Sequence, residues 1–310
     1  MPTSLPARRI FFWLGIAVIL VAAGAVTGRA VWHAKANHTP VAAYLIPSDN
    51  RERIPPAWWQ SAARPDLPRT LHSDESVRVP AGSSIRLIHA DSGGEELISG
   101  PAKLRLQLKL PGETTALVSP LPEVVANAKI AITTPPGACV ITSPVGMTRY
   151  LNPLITWVAR DGILYDIAVA DAADPIVPLR KAFGVRPPVA LADLQTPQRH
   201  QLGIDRNYEI LIREANAPTL AGAARFLTTT DAQVETRIPT SPADLIAEAT
   251  AAMAKKPTRT GDAWLALSHL PPEWASSELG VRLRLRVAAE LGLADELNRA
   301  LKDAAKLTTW

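Results

Sequence analysis

Apolar residues run without a charge from Ile10 to Gly28, nineteen positions in succession. A helix rising about 1.5 Å per residue just crosses ~30 Å of hydrocarbon over such a length. Arg8 and Arg9 precede the run, Arg29 and Lys35 follow it, and Trp13 and Trp32 fall near its ends, where amphipathic rings suit the interface. The pattern predicts a single-pass transmembrane anchor, with residues 1–9 as a cytoplasmic tail and an exported body. A cleaved signal peptide is the competing reading, because Ala23-Gly24-Ala25 is a small-residue cleavage motif; the chain is then secreted.

Residues 29–76 read as a spacer. Pro40, Pro47, Pro55, Pro56, Pro65 and Pro68 interrupt them and no apolar period persists, while Trp58 and Trp59 suit the capping of a neighbouring surface. From Val77 the period becomes two. Ile85, Leu87 and His89 alternate with Ser84, Arg86 and Ile88, and Leu104, Leu106 and Leu108 with Lys103, Arg105, Gln107 and Lys109. One face of each strand is then apolar and inward. Asp91-Ser92-Gly93-Gly94 and Pro111-Gly112 are turn signals, so 77–129 forms a small β-unit.

A second β-module covers 130–238. Pro153-Leu154-Ile155-Thr156-Trp157, Asp161-Gly162 and Tyr165-Asp166-Ile167-Ala168-Val169 read as strand, hairpin turn and strand. Tyr208, Ile210 and Ile212 share a strand face, and Phe226-Leu227-Thr228-Thr229 supplies a closing strand. The Ala173–Gln201 stretch carries Pro175, Pro178, Pro187, Pro188 and Pro197 and leaves the middle strands open.

The period changes again over 239–310. Ser241-Pro242-Ala243-Asp244 is a helix start, with a hydroxyl N-cap, proline in the first turn and an acid near the positive dipole end. That helix runs to about Lys255. Others cover Asp262–His269, a stretch from about Ser276 to Gly292 with Leu279, Leu283, Val287 and Leu291 on one side, and about Ala294–Ala305. The fold class is thus mainly β with an α-helical C-terminal domain.

Two families are resembled. Ser76-Val77-Arg78-Val79-Pro80-Ala81-Gly82, Ile85-Arg86-Leu87 and Leu97-Ile98-Ser99-Gly100-Pro101-Ala102-Lys103-Leu104-Arg105-Leu106 resemble a FecR-type β-domain over about fifty residues. That resemblance implies transmembrane signalling of an envelope signal as an alternative function. Residues 130–230 resemble a fibronectin type III or related immunoglobulin-like sandwich. The resemblance implies that Trp157 fills the core and that Leu202 and Tyr208 form a tyrosine corner, whose hydroxyl bonds back to nearby backbone. The helical hairpins are similar to tetratricopeptide-type or other helical-repeat units, without a clean internal repeat.

Composition narrows the function. Lys and Arg number 33 against 29 Asp and Glu, a net charge of +4 on 310 residues, too small a bias to indicate nucleic acid. One cysteine, Cys139, excludes a disulfide framework or Cys-rich zinc site within the chain. Flanked by Ala138, Val140 and Ile141, it reads as a buried strand residue without a cationic neighbour to activate it. The histidines are His33, His38, His72, His89, His200 and His269, and only His89-x-Asp91 has metal-ligand spacing, at a turn with Glu95 and Glu96 nearby. It reads as a solvated turn. There is no Gly-x-Ser-x-Gly elbow or phosphate loop, and nothing supplies a base to Ser83 or Ser84. Arg282, Arg284 and Arg286 read as a solvated helix face stapled by Glu278 and Glu290, with an acidic partner or lipid headgroup as the alternative.

No catalytic, cofactor or metal residue is assigned, and no cofactor is implied. The expectation is a non-enzymatic, membrane-anchored envelope protein with a periplasmic or extracellular body. Its partners are the bilayer, through Ile10–Gly28, and another envelope protein or cell-wall polymer met by sheet edges and helical grooves.

Overall fold

The computed structural model describes residues 41–46, 68–106 apart from 74, 80, 83, 91 and 92, then 119, 121–130, 139–195, 202–217, 220–233, 238–254 and 257–308. The tail, the anchor, Trp58, Trp59, Ser83, Asp91, Leu108, His33, His38 and His200 lie outside them. Among the described residues no helix is long and apolar enough to cross a membrane. The chain is mainly β, in several sheets, with a helical C-terminal region.

Six strands come first: β1 (Val41–Ile46), β2 (Arg69–His72), β3 (Ser76–Val79), β4 (Ser84–His89), β5 (Glu95–Ser99) and β6 (Ala102–Arg105). They form an antiparallel sheet in the order β2-β1-β4-β5 and a two-stranded ribbon, β3-β6. The spacer expectation is corrected here, because Val41–Ile46 is buried at every position inside this sheet. Proline counting missed it because β1 itself holds no proline.

The alternation predicted for β4 is corrected too. Ile88, expected outward, is as buried as Ile85 and Leu87. Both faces of the sheet are covered. Ala43, Leu45, Ile85, Leu87 and Ile98 form a core with Val79 and Leu106, beside the ribbon. Val41, Tyr44, Ile46 and Ile88 face the helices. A bulge between Val41 and Ala43 resets the alternation of β1.

The middle of the chain holds β7 (Ile141–Ser143), β8 (Gly146–Tyr150), β9 (Leu154–Trp157), β10 (Tyr165–Asp171), β11 (Asp174–Val185), β12 (Val189–Ala190), β13 (Asn207–Glu214) and β14 (Leu220–Gln233). Two sheets result, β12-β9-β7 and β11-β10-β13-β14-β8, with β8 parallel to β14 and the other pairings antiparallel. They enclose one core, to which Ile155 and Trp157 come from the first and Tyr165, Ile167, Ile210, Ile212 and Phe226 from the second. Trp157 meets Tyr165 edge-on, ring centroids 5.7 Å apart. The Asp161-Gly162 hairpin expectation is overturned, since β9 and β10 belong to different sheets. That turn carries the chain across the core. The actual hairpin is Ala172-Ala173, between β10 and β11, where the Asp171 carboxylate accepts the Ala173 N–H at 2.9 Å.

The Gly203 N–H donates to the Tyr208 hydroxyl at 2.7 Å, while Thr228 Oγ1 donates to the Gly203 carbonyl at 2.6 Å. The expected back-bond of Tyr208 is therefore present, and the Thr228 bond ties the same turn to β14.

The helices are α1 (Leu121–Ile130), α2 (Pro242–Ala254), α3 (Thr260–Leu267), α4 (Pro272–Ala275), α5 (Glu278–Leu291) and α6 (Ala294–Thr308). Ser241 Oγ accepts the Asp244 N–H at 3.1 Å and Ser277 Oγ the Gly280 N–H at 3.1 Å, so both serine caps form. Gly292 ends α5 at φ 70°, a left-handed position that glycine adopts without strain. The helices share one core with Tyr44, Ile46 and Ile88 of the first sheet and with α1.

Replacing Tyr208 with Phe leaves the Gly203 N–H without its acceptor. The expected loss is about 1–3 kcal/mol, read as a lower urea midpoint at an unchanged slope in equilibrium unfolding.

Candidate functional site

The sequence candidates do not converge. His89 Nε2 lies 3.4 Å from Glu96 in an exposed pair, while Glu95 turns to Arg86 at 2.8 Å. Among the described residues no group of three His, Cys, Asp or Glu side chains is placed to hold a metal ion. Ser84 begins β4, and His269 Nδ1, in the turn after α3, lies 2.8 Å from the Leu265 carbonyl of that helix. Cys139 is half-buried rather than buried. Burial and then the Glu214 charge push its thiol up to about 11, against the pull of Arg160. It is a poor nucleophile.

The arginine reading is corrected. Residues two apart on a helix diverge by about 200°, so Arg282, Arg284 and Arg286 do not form one face. Arg282 is 2% exposed; its guanidinium donates to Glu278 Oε1 at 2.8 Å and to the Ser119 carbonyl at 2.6 Å. It fastens α5 to the residues that lead into α1. Arg284 is held by Glu296 at 2.6 Å and Asp303 at 2.9 Å, both from α6. Only Arg286 remains on the surface of the three, paired with Glu290 at 2.6 Å, and both line a groove with Asn127 of α1.

A buried charged cluster joins the two-sheet module to the helices. The turn before β8 seats against the start of α3, where the Gly261 N–H donates to the Val145 carbonyl at 3.3 Å. A Cβ on Gly261 would lie 2.6 Å from the Val145 nitrogen, so no larger residue fits. Beside it, Asp262 accepts the Thr148 hydroxyl at 2.8 Å and the Arg149 N–H at 3.2 Å. Arg259 bridges Asp262 at 3.2 Å and Glu248 at 3.1 Å, and Arg149 reaches Glu248 at 2.9 Å. Burial pushes the Asp262 carboxyl up, against the opposing pull of Thr148, Arg259 and the Arg149 N–H. A second, half-buried tie runs from Arg86 of β4 to Asp244 of α2 at 2.6 Å.

These clusters are internal. The surface feature that stands apart is β11, an edge strand of the five-stranded sheet. Ile176 is 87% exposed and Val177 60% at one end; Phe183 is 62% exposed at the other, beyond Lys181, whose ammonium sits 5.4 Å over its ring. Leu164 is also exposed, with Cδ1 4.0 Å from where a Gly184 Cβ would sit. The strand's backbone is less open than its side chains. Pro175 and Pro178 lack N–H groups, and Lys181 exchanges both backbone bonds with Gln195, at 3.0 and 2.9 Å. A partner adding a strand to this edge would find few free backbone groups. Sequence periodicity missed the surface because prolines masked the strand.

Comparison with protein family models, curated proteins and solved structures finds no match to this chain.

Replacing Asp262 with Ala leaves the buried Thr148 hydroxyl and the Arg149 N–H without their acceptor and Arg259 with Glu248 alone; a stability loss of about 3 kcal/mol is expected, measured by denaturant unfolding. Acid acts on the other tie. Burial would raise the Asp244 carboxyl, but hydrogen bonds from Arg86 and Ser241 and the Arg86 charge outweigh it and hold it below the usual value. A lowered folded pKa gives stability that is present above the unfolded value and lost as pH falls through the folded one. The stability difference between wild type and D244N should hold steady from about pH 7 to 5 and shrink below about pH 4.

Proposed function

We propose that this chain is a non-catalytic, membrane-anchored envelope protein, held by Ile10–Gly28, whose exported body binds another protein. The observation that carries the reading is the placement of Ile176, Val177 and Phe183 on one edge strand, exposed to solvent and backed by a packed core. Exposed apolar side chains grouped on a rigid element favour a protein contact over a hydrated polymer.

The finer fold reading supports such a role. The strand orders β12-β9-β7 and β11-β10-β13-β14-β8, the buried Trp157 and the Tyr208–Gly203 bond agree with a fibronectin type III-like sandwich. The FecR-like reading rests on β3 to β6. Sandwiches of this kind commonly present surfaces, although fold alone assigns no function.

A photo-crosslinking residue placed at Ile176 or Phe183 of the full chain in membranes tests the proposal. Both positions should capture one common protein, and the same residue at Arg225, an exposed site on β14, should not. No adduct on β11, or equal capture at Arg225, would remove the proposed contact surface.

A further inference from the structure

The β3-β6 ribbon carries a charge pattern that its own stability does not explain. Its inward face is Val77, Val79, Ala102 and Leu104, packed on the first core. Its outward face holds Ser76 and Arg78 on β3 and Lys103 and Arg105 on β6, all exposed. The register sets Arg78 directly opposite Lys103, and Ser76 opposite Arg105. Like charges opposite one another across antiparallel strands oppose the pairing. Among the described residues neither Arg78 nor Lys103 forms an ion pair. By contrast, Arg86, on the neighbouring sheet, has Glu95 and Asp244.

We propose that this face docks on anionic lipid headgroups at the surface of the membrane that holds the chain. The proposal rests on the anchor reading of Ile10–Gly28. Charge complementarity fixes the chemistry, and the length of chain favours lipid over a soluble polyanion. Only twelve residues separate Gly28 from Val41, where β1 begins. Fully extended they span about 40 Å, so the β-body stays close to the bilayer. The same twelve residues include Arg29 and Lys35, and no acid occurs between Gly28 and Asp49. The approach to the body and the ribbon thus carry one sign. Each basic residue close to an anionic membrane adds roughly fivefold to association, and salt screens the effect within about 10 Å.

The test uses the full chain reconstituted in vesicles, with a fluorophore on S76C in a C139S background and a quencher on the lipid headgroup. Vesicles with anionic phosphatidylglycerol should quench the probe several-fold more than purely zwitterionic ones, and high salt or R78Q/K103Q should abolish the difference. Circular dichroism checks that the variant stays folded. Equal quenching in both vesicle types, or full quenching by R78Q/K103Q, overturns the proposal. So does a probe response to soluble polyphosphate with none to anionic vesicles. Carbonate extraction reads the anchor separately. If the chain is extracted, the anchor reading fails, and salt-sensitive rebinding of the extracted chain to anionic vesicles still scores the ribbon.

Discussion

The apolar sides of α2, α3 and α5 close on Tyr44, Ile46 and Ile88, and complete burial of each such side chain contributes about 1.5–3 kcal/mol. Among the described residues these helices and α1 cover the second face of the first sheet, while α3 also meets β7 and β8 of the two-sheet module. Each side of the contact needs the other. The chain therefore crosses itself: β1 and β4 from the beginning of the described residues and the helices from the end form one core, with the two-sheet module joined at its flank. Two polar ties set the orientation, Arg86 with Asp244 and the Asp262 cluster beside Gly261. The Asp262 cluster carries more of that load, because buried ions left without partners cost far more than exposed ones.

What was legible in the sequence was local. The cap at Ser241 and the stop at Gly292 follow from short-range chemistry, the buried Trp157 and the Tyr208 back-bond follow from the resemblance, and the structure shows all four. What failed depended on partners distant in the chain. Val41–Ile46 is a strand because α2 to α5 cover it, and nothing within its six residues announces those helices. Ile88 was placed outward by a period-two rule that assumes one wet face. Asp161-Gly162 has the chemistry of a turn but not the strands of a hairpin, because β10 pairs with β11 and β13 rather than with β9. Charge suggests water, which points the arginines of α5 outward. Arg282 is buried because Glu278 and the Ser119 carbonyl occupy its donors.

Charge in this chain divides between enclosed pairs and exposed groups. Arg259, Arg282 and Arg284 are enclosed with carboxylates that neutralise them. Arg78 and Lys103 face each other across a ribbon in water. A net charge of +4 summarises neither group, because the enclosed pairs cancel and do not act outside the protein. The external field depends on where the unbalanced cations sit. On the β3-β6 ribbon they share one face of a short element, the arrangement that presents the greatest local potential for a given number of charges.

The other exposed element, β11, argues for a mode of recognition rather than an identity. A partner that added a strand would need free N–H and C=O groups along the edge, but two prolines and the Lys181–Gln195 bridge interrupt them. These interruptions also protect against self-association, which an open twelve-residue edge invites. Side chains remain available for contact. Ile176 and Val177 stand at the hairpin end, while Phe183 is steadied by Lys181 at the other. For the contact proposed here, selectivity would come from how a partner's own apolar side chains fit at those two points. The two-sheet core behind the strand fixes their spacing, which would lower the conformational entropy lost on such an association.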